Sequence, residues 1–471
     1  LVFNRIQLLN QKIMKTRIYI YSTVLAIGLF VTSACNNKLD VDPTDSIDES
    51  TALSTSKDVE VTLIGCYDAL QDNDVYGGAF QYSSELLGNN DEIGFGGTFQ
   101  NMLELSAKQL TTVNVTAQLT WRDSYVAINR CNNVLSALSI VDEEKRGRIE
   151  GEARFIRGSL FFDLVRLYAK TWGDGDNAAN PGVPLVLTPT RGVTEADDIA
   201  RNSVAEVYAQ VLEDLNAAKS LLPESNTIYA TKYAAAAQLS RVYLQQGNFA
   251  SARDEANEVI ESGEFSLNSS FESLYYTNIN NGGANPGEYI FAMVVTPQDG
   301  INDMNTFFGT TIDDIPGTGG RGDIRVLAKH RALYEAGDKR GAFFLTPTNN
   351  TYTQKHLDNL GNVLQFRLAE MYLTRAEANF RLGTAVGATP LADINRIRVR
   401  AGLKAATTVT LPSILKERHL ELAFEGHALH DAKRNKQNIG TIPYNSPRLV
   451  FPIPQREIDV NKKLVQNEGY N

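Results

Sequence analysis

Cysteine is scarce in this chain: three residues, at positions 35, 66 and 131. That excludes a disulfide scaffold. Basic charge is also short. Forty-five Lys and Arg face fifty-five Asp and Glu, for a net charge of −10. Such a balance argues against nucleic acid, and against anionic lipid as the main partner, because both are bound by basic surfaces. The long apolar run that a spanning helix needs, roughly 20 residues, is missing; the stretch from Ile18 to Val31 falls short of it. Catalytic templates are missing too. G-x-S-x-G, H-E-x-x-H and C-x-x-C do not occur. The glycine runs GFGG and GTGGRG lack the Lys-Ser/Thr of a phosphate loop and read as flexible loop tips. Arg321-Gly322-Asp323 spells an adhesion tripeptide, too short to carry meaning. No cofactor and no metal is expected.

What is present begins with Cys35. Lys15 and Arg17 precede the apolar stretch, and Thr32-Ser33-Ala34-Cys35 closes it with small residues and a thiol. That order describes an exported precursor cleaved before Cys35, whose thiol is then lipidated. Residues 1–34 are expected to be the signal peptide, with Met14 as the true start. Arg5, Lys12, Lys15 and Arg17 lie within it and no acid does, so the mature chain would be more acidic still. Residues 35–50, polar and Asp-rich with Pro43, read as a lipidated tether. Cys66 and Cys131 sit inside helical patterns and read as buried thiols, with a bridge between packed helices left open.

Helical periodicity runs from Lys57 to Gln71, from Ala117 to Leu138 and from Glu143 to Lys170. In the last, Phe155, Leu160, Phe161, Leu164, Val165 and Tyr168 return at three- and four-residue spacing. Asn73 to Thr98, rich in Gly and aromatics, holds no period and reads as a long structured loop. Asn202 to Leu222 reads as a helix stopped by Pro223. The stretch from Ala234 to Phe265 places small residues at crowded contact positions: Ala236, Ser240, Ala252 and Ala256. It matches a tetratricopeptide-type helix pair, with a looser echo from Phe366 to Gly402. Between Glu264 and Leu364 the period is lost for about 100 residues, which suggests an elaboration carrying a binding face. The divisions expected are a helical region over 51–265, a loop-rich ligand-facing region over 266–364, helices over 365–435 and an extended tail over 436–471. Residues 35–471 are expected to form one unit.

Glu425-x-His427-x-x-His430-Asp431 is the best metal-like cluster, with Glu417, Glu421 and Glu425 as an i, i+4 ladder on the same expected helix. The competing reading, carboxylates pairing Arg418 and Arg434 with histidines used in packing, is preferred. Aromatics are the other candidates, since a flat ring covers a sugar face while amides, acids and Arg bond the hydroxyls. Two loops offer that mixture. One holds Tyr76, Phe80, Tyr82, Asn89, Asn90, Asp91, Phe95 and Phe99; the other holds Tyr275, Tyr276, Asn278, Asn280, Phe307, Phe308 and Arg321. The two are expected to meet on one face. The residues expected to bind ligand are Tyr82, Asn90, Asp91, Phe95, Tyr276 and Arg321. Trp121 and Trp172 read as structural.

Taken in order, several stretches resemble the SusD/RagB family of Bacteroidota outer-membrane lipoproteins: CNNKLDVDPTD at 35, WRDSYVAINRCNNVL at 121, EARFIRGSLFFDLVRLYAKTWGD with GVPLV, the helix pair at 234–265, EMYLTRAEANFRLG with INRIRVRAGL, and ERHLELAFEGHALHDAKR with LVFPIPQREIDVNKKLVQNEGY. The resemblance implies an all-α scaffold of tetratricopeptide-like helix pairs with a loop-rich, irregular half facing the ligand. It implies a non-catalytic lipoprotein of the outer membrane, surface-exposed, that captures an oligomeric nutrient, most often a glycan. The partner it implies is a SusC-like TonB-dependent transporter, on which the protein sits as a lid. Peptide binding is the alternative within the family; a secreted glycosidase or metal hydrolase is the alternative outside it. Binding residues follow no shared motif, and no starch site is carried over.

Overall fold

The computed structural model describes residues 53–192 and 198–470. Cys35, the tether and the signal peptide lie outside the described residues. From Thr55 onward the chain forms one compact unit, with sixteen α-helices among the described residues. The first half contains α1 (Ser56–Gln71), α2 (Ala79–Gly88), β1 (Ile93–Phe95), α3 (Gln100–Ala107), α4 (Val115–Ser136), α5 (Glu143–Tyr168), α6 (Val204–Leu221), α7 (Lys232–Gln246) and α8 (Phe249–Glu261). Next come α9 (Thr277–Asn281), β2 (Tyr289–Met293), α10 (Asp303–Phe308), β3 (Ile324–Val326), α11 (Ala328–Arg331), β4 (Phe344–Leu345), β5 (Tyr352–Thr353) and β6 (Val363–Arg367). The chain then runs through α12 (Leu368–Leu382), α13 (Pro390–Arg400), α14 (Leu411–Glu421), α15 (Ala428–Arg434) and α16 (Gln455–Val460).

The helix pair around 234–265 forms because its ends are capped and its contact face is small. Thr231 accepts from the Ala234 amide at the start of α7, and Gly247, at φ 72°, ends it in the left-handed conformation that glycine tolerates best. Asn248 then caps α8 through the Ser251 amide. Ala236, Ser240, Ala252 and Ala256 are all fully buried, the two helices pack against each other, and the Ser240 hydroxyl lies 3.6 Å from the Met371 sulfur of α12. Helix α8 also packs against α12. Helix α5 is the centre of the larger core, packed between α4 and α6. Its Phe155 ring meets Phe291 of β2 edge-on at 5.2 Å. Cys66 and Cys131 are free and buried, and burial pushes the Cys131 thiol up.

Three two-stranded antiparallel ladders serve the irregular half: β1 with β3, β2 with β6, and β4 with β5. The β2–β6 ladder pairs Tyr289 with Arg367 and Met293 with Val363, joining the irregular region to the start of α12. In the tail, the Phe451 amide donates to the Leu167 carbonyl at 2.8 Å, and its ring meets Tyr168 edge-on.

Asn73 to Thr98 is not a loop throughout. Helix α2 occupies its middle, and every residue from Ala79 to Leu87 is buried. A helix enclosed on all sides presents no amphipathic period. Two of its polar residues, Ser84 and Glu85, bond the segment that starts α15. The Glu85 carboxylate accepts from the amides of Gly426, His427 and Ala428 at 2.8, 3.0 and 3.4 Å, satisfying the start of α15. A Cβ on Gly88 would lie 2.2 Å from the Leu429 nitrogen, so only glycine allows α2 to end against that turn.

Candidate functional site

The two irregular segments meet. Strand β1 pairs with β3 in the register Ile93 to Val326 and Phe95 to Ile324, and the Gly96 amide donates to the Asp323 carbonyl at 2.7 Å. Beside this ladder, the Arg321 guanidinium lies over the Phe99 ring, 4.6 Å from its centroid, and donates to Asp323 Oδ2 at 2.8 Å. Phe99 is 43% exposed and the Arg321 side chain 44%, so the stacked ring and guanidinium reach solvent together. Phe307 supports Phe99 from below, edge-on at 6.0 Å.

A second feature lies at the other end of α10. A cleft of 670 Å³ opens between the end of α1 and the segment from Val295 to Asn302. Its wall is polar: Asp72, Asn73, Asp74, Asp123, Arg130 and Gln298 contribute to it. Carboxylate oxygens of Asp72, Asp74 and Asp123 lie within 4.8 Å of one another. Burial, then repulsion from Asp72 and Asp123, pushes Asp74 up to about 6. Asp303, at the start of α10, is pushed up to about 7 by burial and then by Asp74. Near neutrality the pair therefore offers both carboxyl donors and carboxylate acceptors. The helix between cleft and ring, Asp303 to Phe308, spans about 9 Å.

The expected ligand residues divide. Arg321 takes part in the exposed patch, and Phe95 lies beside it, since a Cβ on Gly97 would meet both the Phe95 ring and the Asp323 carboxylate. Tyr82 does not face a ligand. It is 2% exposed and packs edge-on against Phe307 at 5.1 Å, a core role enforced by the helix the loop conceals. Tyr276 is half-buried at φ 62°; its hydroxyl donates to Gln354 Oε1 at 2.9 Å, and burial lifts it to about 12. Asn90 and the exposed Asp91 sit with Lys329, whose ammonium donates to the Asn90 carbonyl at 2.6 Å. Asn90 lines a different cleft, of 910 Å³, rimmed also by Trp172 and His419. Asp72, Asp74, Asp123 and Asp303 were not among the expected residues; they come from three separate stretches of the chain, so no local spacing links them.

The metal-like cluster at 425–431 is not on one helix. Helix α14 ends at Glu421 and α15 begins at Ala428; Phe424 at φ 66° and Gly426 at φ 87° turn the chain between them. Arg418 and Arg434 do pair acids, but chiefly Asp431 and Glu377; Glu421 and Glu425 instead bind Arg367. His427 and His430 are buried, and burial pushes both below the usual imidazole range, His427 to about 3. Among the described residues, a different trio with histidines gathers: Glu92 Oε2 lies 2.7 Å from His330 Nδ1 and 2.6 Å from His419 Nε2. Glu92 is 238 and 327 positions from the two histidines, so no spacing announces the trio.

Comparison with known proteins agrees with this architecture. Residues 39–244 match a SusD-like family described as starch-binding and associating with the outer membrane, and residues 344–448 match the SusD family. SusD-like protein P2 of Formosa agariphila is 24% identical, over 96% of this chain and 99% of that protein. The starch-binding protein SusD of Bacteroides thetaiotaomicron is 36% identical over 125 residues, 22% of this chain and 21% of that one. A SusD superfamily crystal structure from Bacteroides thetaiotaomicron superimposes with a TM-score of 0.75 at 25% identity, covering 88% of this chain and 99% of that chain. No helix among the described residues is long and apolar enough to cross a membrane. The matches in both halves of the chain, the full-length relative and the shared helical fold place this chain in the SusD/RagB family of non-enzymatic carbohydrate-binding proteins.

Proposed function

We propose that this protein is a surface lipoprotein, anchored through Cys35, that captures an oligomeric glycan and delivers it to a SusC-like TonB-dependent transporter. The observation that supports the reading is the placement of two complementary features at the ends of one short helix. The 670 Å³ cleft with Asp72, Asp74 and Asp123 bonds hydroxyl groups. The Arg321 guanidinium, stacked on the Phe99 ring and partly exposed, offers a sugar unit a flat surface and hydrogen-bond donors. A chain of linked units engages both, whereas a single unit engages one. The acidity of the cleft favours a second reading, a Lys- or Arg-containing peptide held by the same carboxylates.

A glycan array that also carries basic peptides tests the reading. Binding to an oligosaccharide, weakened at least about tenfold by Phe99→Ala or Asp72→Asn, is the expected result. Binding only to basic peptides would move the assignment to the second reading, and no loss in either variant would remove this surface from it. Cys35→Ala is expected to release the protein from the outer-membrane fraction, and the wild type is expected to co-purify with a barrel transporter.

A further inference from the structure

We propose that Glu92, His330 and His419 form a binding site for a zinc-class divalent ion that joins the irregular half to the C-terminal helices. Three elements supply one ligand each. Glu92 precedes β1, its amide bound to Asn89 Oδ1 at 2.8 Å and its carbonyl to the Leu327 amide at 2.8 Å. His330 stands on α11 and His419 on α14. One carboxylate oxygen lies between two imidazole nitrogens, at 2.7 and 2.6 Å, and all three atoms fall within 4.8 Å of one another. Ligand atoms around a tetrahedral zinc at about 2.0–2.1 Å stand about 3.3 Å apart, so a small opening of Glu92 seats the ion.

The surrounding hydrogen bonds orient His330 for that role. The Tyr334 hydroxyl has one proton and donates it to the Leu420 carbonyl at 3.3 Å. His330 Nε2 lies 3.1 Å from that hydroxyl oxygen, a contact that orients the ring and, with the ring proton on Nε2, leaves Nδ1, the atom facing Glu92 Oε2, free to ligate an ion. A second proton on the ring would place a charge on a residue 1% exposed, packed against Phe424 at 4.8 Å and Phe344 at 6.0 Å. Two imidazoles and a carboxylate match zinc rather than calcium or magnesium, which take oxygen ligands. Glu92 and His419 line the 910 Å³ cleft, which leaves the remaining coordination position open to water.

The test uses the full chain with any polyhistidine tag removed, dialysed against micromolar zinc and then against metal-free buffer. One zinc per chain by elemental analysis, lost in Glu92→Gln and in His419→Ala but kept in Asp72→Asn, is the expected result. His419 is 39% exposed in its side chain, so that variant is expected to fold, and circular dichroism checks it. Adding zinc to chelator-treated protein should raise the melting temperature by several degrees in the wild type and not in the variants. Zinc well below one per chain, an unshifted melting temperature, or metal retained by both variants overturns the site.

Discussion

Two contacts of similar burial hold this molecule together by different physics. The helices α7 and α8 pack against each other, and the small residues along them, Ala236, Ser240, Ala252 and Ala256, are all fully buried. Where the irregular half meets the C-terminal helices, the contact is made of charges. Arg367, 1% exposed, bonds Glu288, Glu421 and Glu425; Arg400 bonds Glu288 and Glu421; the Lys355 ammonium bonds Glu425 and the carbonyls of Glu421 and Ala423. The first contact depends on shape and tolerates change up to the volume available. The second depends on completeness, because a buried charge that loses its partner has no water to turn to.

The widest gap between the two is expected from Arg367→Met. It leaves three buried carboxylates short of a partner and should cost about 3–5 kcal/mol, read from the urea midpoint. Acid should expose the same difference in the wild type. Burial raises Glu421, but Arg400, Arg367 and Arg340 outweigh it and hold the carboxyl near 2. A group depressed in the folded state stabilises above its unfolded value, near 4.5, and that contribution is lost as pH falls from there toward 2. Stability should therefore drop across that window, and drop less in Arg367→Met. A flat profile in the wild type would remove the ionic half of the comparison.

At the apolar contact the expected effects are smaller. Ala252→Leu should overpack the α7–α8 interface and cost about 1–3 kcal/mol, with little dependence on pH. An unchanged unfolding midpoint would mean that the interface has room and that shape does not limit it. Smaller again is Thr231→Ala, which removes the cap on the Ala234 amide and should cost about 1 kcal/mol. If Thr231→Ala proved more damaging than Ala252→Leu, end-capping rather than packing would be the stronger constraint on the pair.

The same contrast explains what could be read in advance. Helix α7 carries its cap, small contact residues and terminal Gly247 within seventeen consecutive positions. Helix α5 repeats its apolar face at helical spacing. Helix α2 escaped notice because Ala79 to Leu87 are buried on every side, which erases the period. Tyr82 went with it, from expected ligand ring to core. The expected meeting of the two loops is present in the β1–β3 ladder and in Arg321 over Phe99, yet the acids of the neighbouring cleft come from the turn after α1 and from α4, and no local spacing links them.

Local order was therefore set by the sequence on its own terms: the helix pairs, their caps and stops, the acidic balance and the family pattern all arise from residues a few positions apart. Tertiary structure alone decided which charges meet. Glu92 finds His330 and His419 at separations of 238 and 327 residues, and Arg367 finds Glu421 and Glu425 at 54 and 58. Hydrophobic periodicity reports which face of an element is turned inward, but an ionic partner is chosen by the three-dimensional path of the chain, and no local pattern encodes that path.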